Sequence, residues 1–497
     1  MTAFALHAGA PLENRHCVSG ALLLFLFVCG ASAQQPRHCS SLLLSDLQPG
    51  LFAGRSTPVP DTASGDRISY GGSYFDVVQD RTSDNAGTIS SVNSDAASAY
   101  AYATMQRTPW ILRAWWNWSS MDFDWSNRAS DLLAHAHSSL VAGGAGIGFK
   151  KGHVETEGAL WVAPCTEDGD APTRALGGSY SLTWKAHSFS VGLFADRSPA
   201  LASLSNIETQ SNGAGREFPL YCVRTRASLP FSFHFGPVDA GITPEVACVA
   251  SDTTAQSPEK LNTLLNASGG TMMLWAKTSS HPLPVSFDCL LRDWSLGAKG
   301  YDGTTMYAIA DNGEILDGWA EASVEFPHRI RAGAFGELSD GNVPQGYFEA
   351  FPFTSWTIFD PVHYKITRLS GVFHEAGLFT QGNFPFLHHF EIDPGIDCSF
   401  LYGKFLLGTR ERQVAILIPY YTDESVISSE EKLVMVKLRL GYGLNFGRYS
   451  FLINALQLVP WELRSRQETV AQLPPSQPST HTGYGGLQIT FSGTLHF

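Results

Sequence analysis

Charge is scarce in this chain. Asp, Glu, Lys and Arg together make up 16% of the residues, where a soluble globular domain carries roughly 25%. What charge there is leans acidic, with a formal net value of −13. That excludes nucleic acid as a partner, because phosphate binding needs a basic footprint. Long apolar runs are missing as well. The one compact apolar stretch, residues 21–28, falls well short of the ~20 residues a membrane-spanning helix requires.

Recognisable chemistry is equally thin. Of 8 cysteines, none stands in a CxxC pair. Cys39, Cys165, Cys222, Cys248, Cys289 and Cys398 are too scattered for a zinc signature or a dense disulfide framework. The close histidine pairs, His135/His137 and His388/His389, have no Asp, Glu or Cys at ligand spacing. No Gly-x-Ser-x-Gly elbow stands out. The glycine-rich residues 143–148 lack the Lys-Ser/Thr ending of a phosphate loop, so they read as small residues in a strand. No enzyme activity, metal or cofactor is expected.

The N-terminus carries an export signal. Residues 21–28 follow Arg15 and His16 and precede Ala31-Ser32-Ala33, a small-x-small site predicting cleavage between Ala33 and Gln34. Cys29 follows Val28, where a lipidation motif wants a small residue. Residues 34–67, with Pro36, Pro58 and Pro60, read as a periplasmic tail or small lumen plug. Residues 68–497 read as one domain.

That domain is patterned with a period of two. In residues 221–235, Tyr221, Val223, Leu229, Phe231 and Phe233 share one face, while Arg224, Arg226 and His234 share the other. Residues 434–446 set Val434, Val436, Leu438 and Leu440 opposite Lys437 and Arg439, and residues 154–162 set Leu160 opposite Glu155 and Glu157. Such alternation belongs to strands, whose successive side chains point to opposite faces. Aromatics at 12% with little charge suit strands whose outer face meets lipid.

The final eleven residues alternate in the same way, with Leu487, Ile489, Phe491, Leu495 and Phe497 on one face. This segment resembles the closing strand of bacterial outer-membrane β-barrels, in which a terminal Phe with alternating apolar residues is the assembly signal. Leu495 and Phe497 occupy the matching places; the expected small Gly comes one residue late, at Gly493. The resemblance implies a location in the bacterial outer membrane, with its lipid and the barrel-assembly machinery as partners. Turns at Gly152, Gly236, Pro327-His328 and Gly447 alternate with long polar stretches, residues 164–174, 196–218, 251–269, 339–345 and 464–482. In an up-and-down membrane barrel the turns are periplasmic and the loops extracellular. The expected fold is an all-β antiparallel barrel of about 16 strands, within a range of 14 to 18 at roughly 25–32 residues per strand.

With the apolar faces outward, Arg224, Arg226, Lys437, Arg439, Glu155, Glu157 and Lys185 point into the lumen. The same logic turns Glu321 and Glu325 inward behind Val324 and Phe326, and Arg329 and Arg331 behind Ile330 and Ala332. Two roles stay open for these charges: lining a water-filled pore, where charge sets selectivity, or pairing with one another to hold the wall. The pore role makes the chain a porin-like channel for small hydrophilic solutes. On that role, reversing Arg224 and Arg226 to Glu is expected to shift selectivity towards cations with folding largely intact. One alternative resembles the long-chain fatty-acid transporters, barrels with an N-terminal plug, although their Asn-Pro-Ala-type motif is absent from residues 34–80. The other is a surface-display barrel whose loops bind ligands. Oligomeric state, monomer or trimer, is left open.

Overall fold

The computed structural model describes residues 38, 66–83, 87–127, 132–165, 173–209, 215–251, 261–278, 283–302, 305–343, 346–349, 363–415, 418–421, 425–470 and 480–497. The expected signal peptide, its Ala33–Gln34 cleavage site and residues 34–65 other than His38 lie outside these.

Antiparallel strands account for nearly everything described. The chain begins its sheet with β1 (Arg67–Ser83), β2 (Gly87–Arg107), β3 (Trp110–Asn127), β4 (Leu132–Lys151), β5 (Val154–Cys165) and β6 (Thr173–Lys185). It continues through β7 (Phe189–Thr209), β8 (Gly215–Ser228), β9 (Phe231–Phe235), β10 (Val238–Ser251), β11 (Leu261–Thr278) and β12 (Val285–Asp302). Then come β13 (Thr305–Phe326), β14 (Ile330–Val343), β15 (Gly346–Glu349), β16 (His363–Gly382) and β17 (Phe384–Leu387). The last are β18 (Phe390–Ala415), β19 (Ile418–Tyr421), β20 (Ser425–Asn445), β21 (Tyr449–Val470) and β22 (Thr480–His496).

Successive strands of the ring pair antiparallel, and the ring closes where β1 pairs with both β2 and β22. Tyr74 of β1 faces Ala97 on one side and Ile489 on the other. The result is a closed barrel of 18 strands with two short extra strands, β15 and β19, outside the ring. Two ring strands are each drawn in two pieces. β8 and β9 are separated at Leu229-Pro230, where proline has no N–H to give the ladder; β16 and β17 are separated at Asn383.

Eighteen strands is the top of the expected range, and the central figure of 16 was low. Residues 66–497 give each strand about 24 residues with its share of connection. Much of what read as loop is strand: β7 runs to Thr209, β14 to Val343 and β21 to Val470. Size alternation is also less strict than expected, since Ser83 to Gly87 and Asp302 to Thr305 are as tight as the turns. The turns at the opposite end are very short. Gly152, Gly236 and Gly447 take positive φ there (58°, 61° and 73°), which costs glycine little because it has no Cβ.

The wall has an inverted surface. Along β20, Leu433, Met435 and Lys437 are buried while Leu438, Leu440 and Tyr442 are exposed. Leu160, Leu176, Val246 and Leu378 are likewise exposed. Near the turn end, exposed aromatics Trp110, Trp184, Phe235, Phe326, Phe446 and Phe497 form a girdle. Outward polar side chains return at the level of Asp76, where Asp76 pairs with Asp95 and Asp95 with Asp122, which bonds His137 at 2.6 Å. Asp76 lies ten residues along the chain from Asp66 at the turn end. On a strand tilted by ~40° that is roughly 25 Å of height, the span of an apolar membrane band. Exposing so much apolar area is favourable only against hydrocarbon.

Candidate functional site

The inner wall carries cross-strand charge clusters. In the first, Arg226 on β8 donates from Nε to Asp196 Oδ1 on β7 at 2.6 Å, and from Nη1 to Glu245 Oε2 on β10 at 3.4 Å. Its guanidinium carbon lies 4.7 Å from the Phe194 ring centre. Arg224, two residues along, donates to Ser198 Oγ at 3.3 Å. On β3–β6, Arg113 donates to Glu157 at 2.6 Å and Lys185 to Glu155 at 3.2 Å. Arg292 on β12 chelates Asp317 on β13, with Nε to Oδ1 at 2.8 Å.

The densest cluster joins β13, β14, β16, β18 and β20. Arg331 donates to Glu321 Oε1 at 2.8 Å, Arg439 to Asp397 Oδ2 at 2.9 Å, and Lys437 to Glu375 Oε1 at 2.9 Å. Lys437 is fully buried and reaches from β20 past β18 to Glu375 on β16. Ser399 Oγ donates to the same Glu375 oxygen at 2.5 Å. A buried charge without such partners costs several kcal/mol, so each cation here sits on a carboxylate.

One further residue enters this cluster from outside the wall. His38 is fully buried, with its ring stacked on Phe379 at a centroid distance of 3.6 Å and an interplanar angle of 10°. Phe335 lies 5.8 Å away and Trp319 packs against the two phenylalanines. The His38 Nδ1 is 2.9 Å from Asp397 Oδ2, and its Nε2 is 3.9 Å from Glu321 Oε1. Its backbone carbonyl accepts a hydrogen bond from Lys437 Nζ. Part of the segment read as tail or plug therefore lies inside the barrel.

The structure thus places Arg224, Arg226, Lys437, Arg439, Arg331, Glu155, Glu157 and Glu321 on the inner face. Arg331, Glu321, Lys437 and Arg439 are brought into one cluster, with Arg224 and Arg226 in another. Arg329 is set apart. It ends the 3-10 turn Pro327–Arg329 at φ 58°, and its exposed guanidinium donates to Asn383 at 2.9 Å. Glu325 is exposed beside that turn. Leu495 pairs with Ile68 on the seam strand, and the Phe497 amide donates to the Asp66 carbonyl at 3.0 Å. The sequence reading missed His38, Phe335, Glu375, Phe379 and Asp397. Asp397 had a visible signal, since Ile396, Cys398 and Phe400 alternate around it; His38 had none.

A closed, even-stranded, up-and-down barrel with an apolar outer belt, an aromatic girdle and a charged interior decides the class. It is an outer-membrane-type β-barrel. No protein-family model matches the chain, and no curated protein matches it. Among solved structures this barrel is similar to Pseudomonas aeruginosa OccK7 (OpdD), at 8% identity and a TM-score of 0.34, covering 87% of this chain and 99% of that one. It is also similar to a bacterial polysaccharide outer-membrane secretin (10% identity, TM-score 0.33, 88% and 100% covered). A Pseudomonas aeruginosa FadL homologue gives 8% identity and a TM-score of 0.32, with 87% and 91% covered. Values this low transfer neither substrate nor mechanism to this barrel.

Proposed function

We propose that this barrel is an outer-membrane channel for small hydrophilic solutes, with its turn end in the periplasm and the opposite end at the cell surface. The observation that carries this reading is the inner wall, where charges of both signs recur from β3 to β20 while the outer wall is apolar. Such a wall needs water or polar cargo along it, and an interior of this kind sets ion selectivity. A carrier of apolar molecules has less use for it. His38 stands beside Lys437, eight residues along β20 from Asn445. That is roughly 20 Å up the barrel, so His38 stands near mid-height of the inner wall.

The pairing of Arg226 with Asp196 revises the expected test. Reversing Arg226 to Glu sets two carboxylates together in a buried site and threatens folding. A triple change, Asp196→Asn with Arg224→Gln and Arg226→Gln, removes the ion pair and one net positive charge together. In planar bilayers under a salt gradient, the triple variant should shift its reversal potential towards cations relative to wild type. Absence of any ion conductance in wild type, the triple variant and His38→Ala alike overturns the channel reading.

A further inference from the structure

The surroundings of His38 are a complete binding site even when His38 is left out of account. Phe379 offers a flat face for a ring, with Phe335 to one side and Trp319 packed against the two phenylalanines. At one edge of that ring position stands the Asp397 carboxylate, and beyond the other stands Glu321. Lys437 supplies an N–H donor for an acceptor oxygen next to the ring. All of these groups belong to the barrel wall, on β13, β14, β16, β18 and β20.

Charge selects the occupant further. Asp397 is matched by Arg439, Glu375 by Lys437 and Glu321 by Arg331. The three carboxylates and three cations cancel, so a charged guest would add an uncompensated charge to a buried, balanced site. A neutral guest with a planar ring, an N–H at the ring edge and a carbonyl nearby meets Phe379, Asp397 and Lys437. The imidazole and backbone carbonyl of His38 have this chemistry.

We propose that this wall pocket is a recognition site for a neutral heteroaromatic N–H donor bearing an amide-type carbonyl, and that His38 is its tethered occupant. The proposal rests on the channel reading for its role, since a solute with this chemistry would displace His38 on its way through the lumen. The binding itself does not depend on conductance. An occupant covalently joined to the barrel competes with a free ligand as an intramolecular binder. Free ligand should therefore bind wild type far more weakly than a variant without the His38 ring.

The test is calorimetric titration of the full-length folded barrel in detergent at pH 7.5, with N-acetylhistidinamide as the probe. N-acetylphenylalaninamide, which has the ring and carbonyl but no ring N–H, is the control. His38→Ala should bind the histidine probe at least tenfold more tightly than wild type, and the phenylalanine control at least tenfold more weakly than the histidine probe. Adding Asp397→Asn or Phe379→Leu to His38→Ala should remove that preference, with heat-modifiable migration on gels confirming folded barrel in each case. Equal affinity of wild type and His38→Ala, equal affinity for the two probes, or no binding to folded His38→Ala overturns the proposal. Binding in the expected order without bilayer conductance leaves the pocket standing and removes the channel; conductance without binding does the reverse.

Discussion

The carboxyl of Asp66 accepts the Gln106 amide at 2.9 Å and the Arg107 guanidinium at 2.6 and 2.8 Å, while its backbone carbonyl accepts the Phe497 amide at 3.0 Å. One residue thus ties β2 to the seam where β1 meets β22. The Gln106 amide, and after it the Arg107 guanidinium, hold the Asp66 carboxyl below the usual carboxylate range. A depressed carboxyl contributes fully above its unfolded value of ~3.9, and the contribution is lost as pH falls through the lower, folded value. Exchange protection of the Gln106 amide, corrected for intrinsic rate, should therefore be high near neutrality and fall in strong acid. Asp66→Asn should weaken it at neutral pH and flatten its dependence on pH. An identical pH profile in the two proteins would show that the carboxylate plays no part in the seam.

At the level of strands, inner-face tryptophans lie flat over glycines of the neighbouring strand. Trp115 covers Gly144, Trp161 covers Gly177 and Trp275 covers Gly241. A Cβ at Gly177 would collide with the Trp161 ring and the backbone carbonyl of Arg197, which cannot swing away. Glycine there lets a large ring lie against the wall instead of standing across the lumen. Gly177→Ala should cost about 1–3 kcal/mol by overpacking. Gly158→Ala, at a position with nothing within 4 Å, is the matched control. Guanidinium unfolding of the two refolded variants in detergent measures the difference. Equal midpoints would mean that Trp161 moves aside at no cost.

For the whole molecule, closure matters most. An even number of strands brings the start of β1 and the end of β22 to the same end of the barrel, where their pairing from Arg67↔His496 to Ser83↔Thr480 leaves no free edge. An unpaired edge in lipid would strand a row of backbone N–H and C=O groups at several kcal/mol each. Phe497 is 67% exposed on the outer face at the tip of that seam, the place where assembly machinery would read it. Deleting Phe497 should lower the yield of heat-modifiable folded barrel in the outer membrane and raise periplasmic degradation. Unchanged yield would dissociate this residue from assembly.

The sequence by itself determined what is local. Two-residue alternation is a property of each strand's own pleat, so it placed Arg224, Arg226, Lys437 and Arg439 opposite their apolar neighbours, and glycines marked turns that require positive φ. Strand number was legible only as a range, because an outward polar residue in an extended strand beyond the membrane looks the same as one in a loop; β7 and β21 show this. Tertiary structure alone decided which charges meet. Lys437 and His38 are 399 residues apart in sequence, and Glu375 joins them only because β18 lies between β16 and β20 in the closed ring. No periodicity marks His38, since a residue held by the lumen of a barrel answers to the wall around it and not to its own neighbours in the chain.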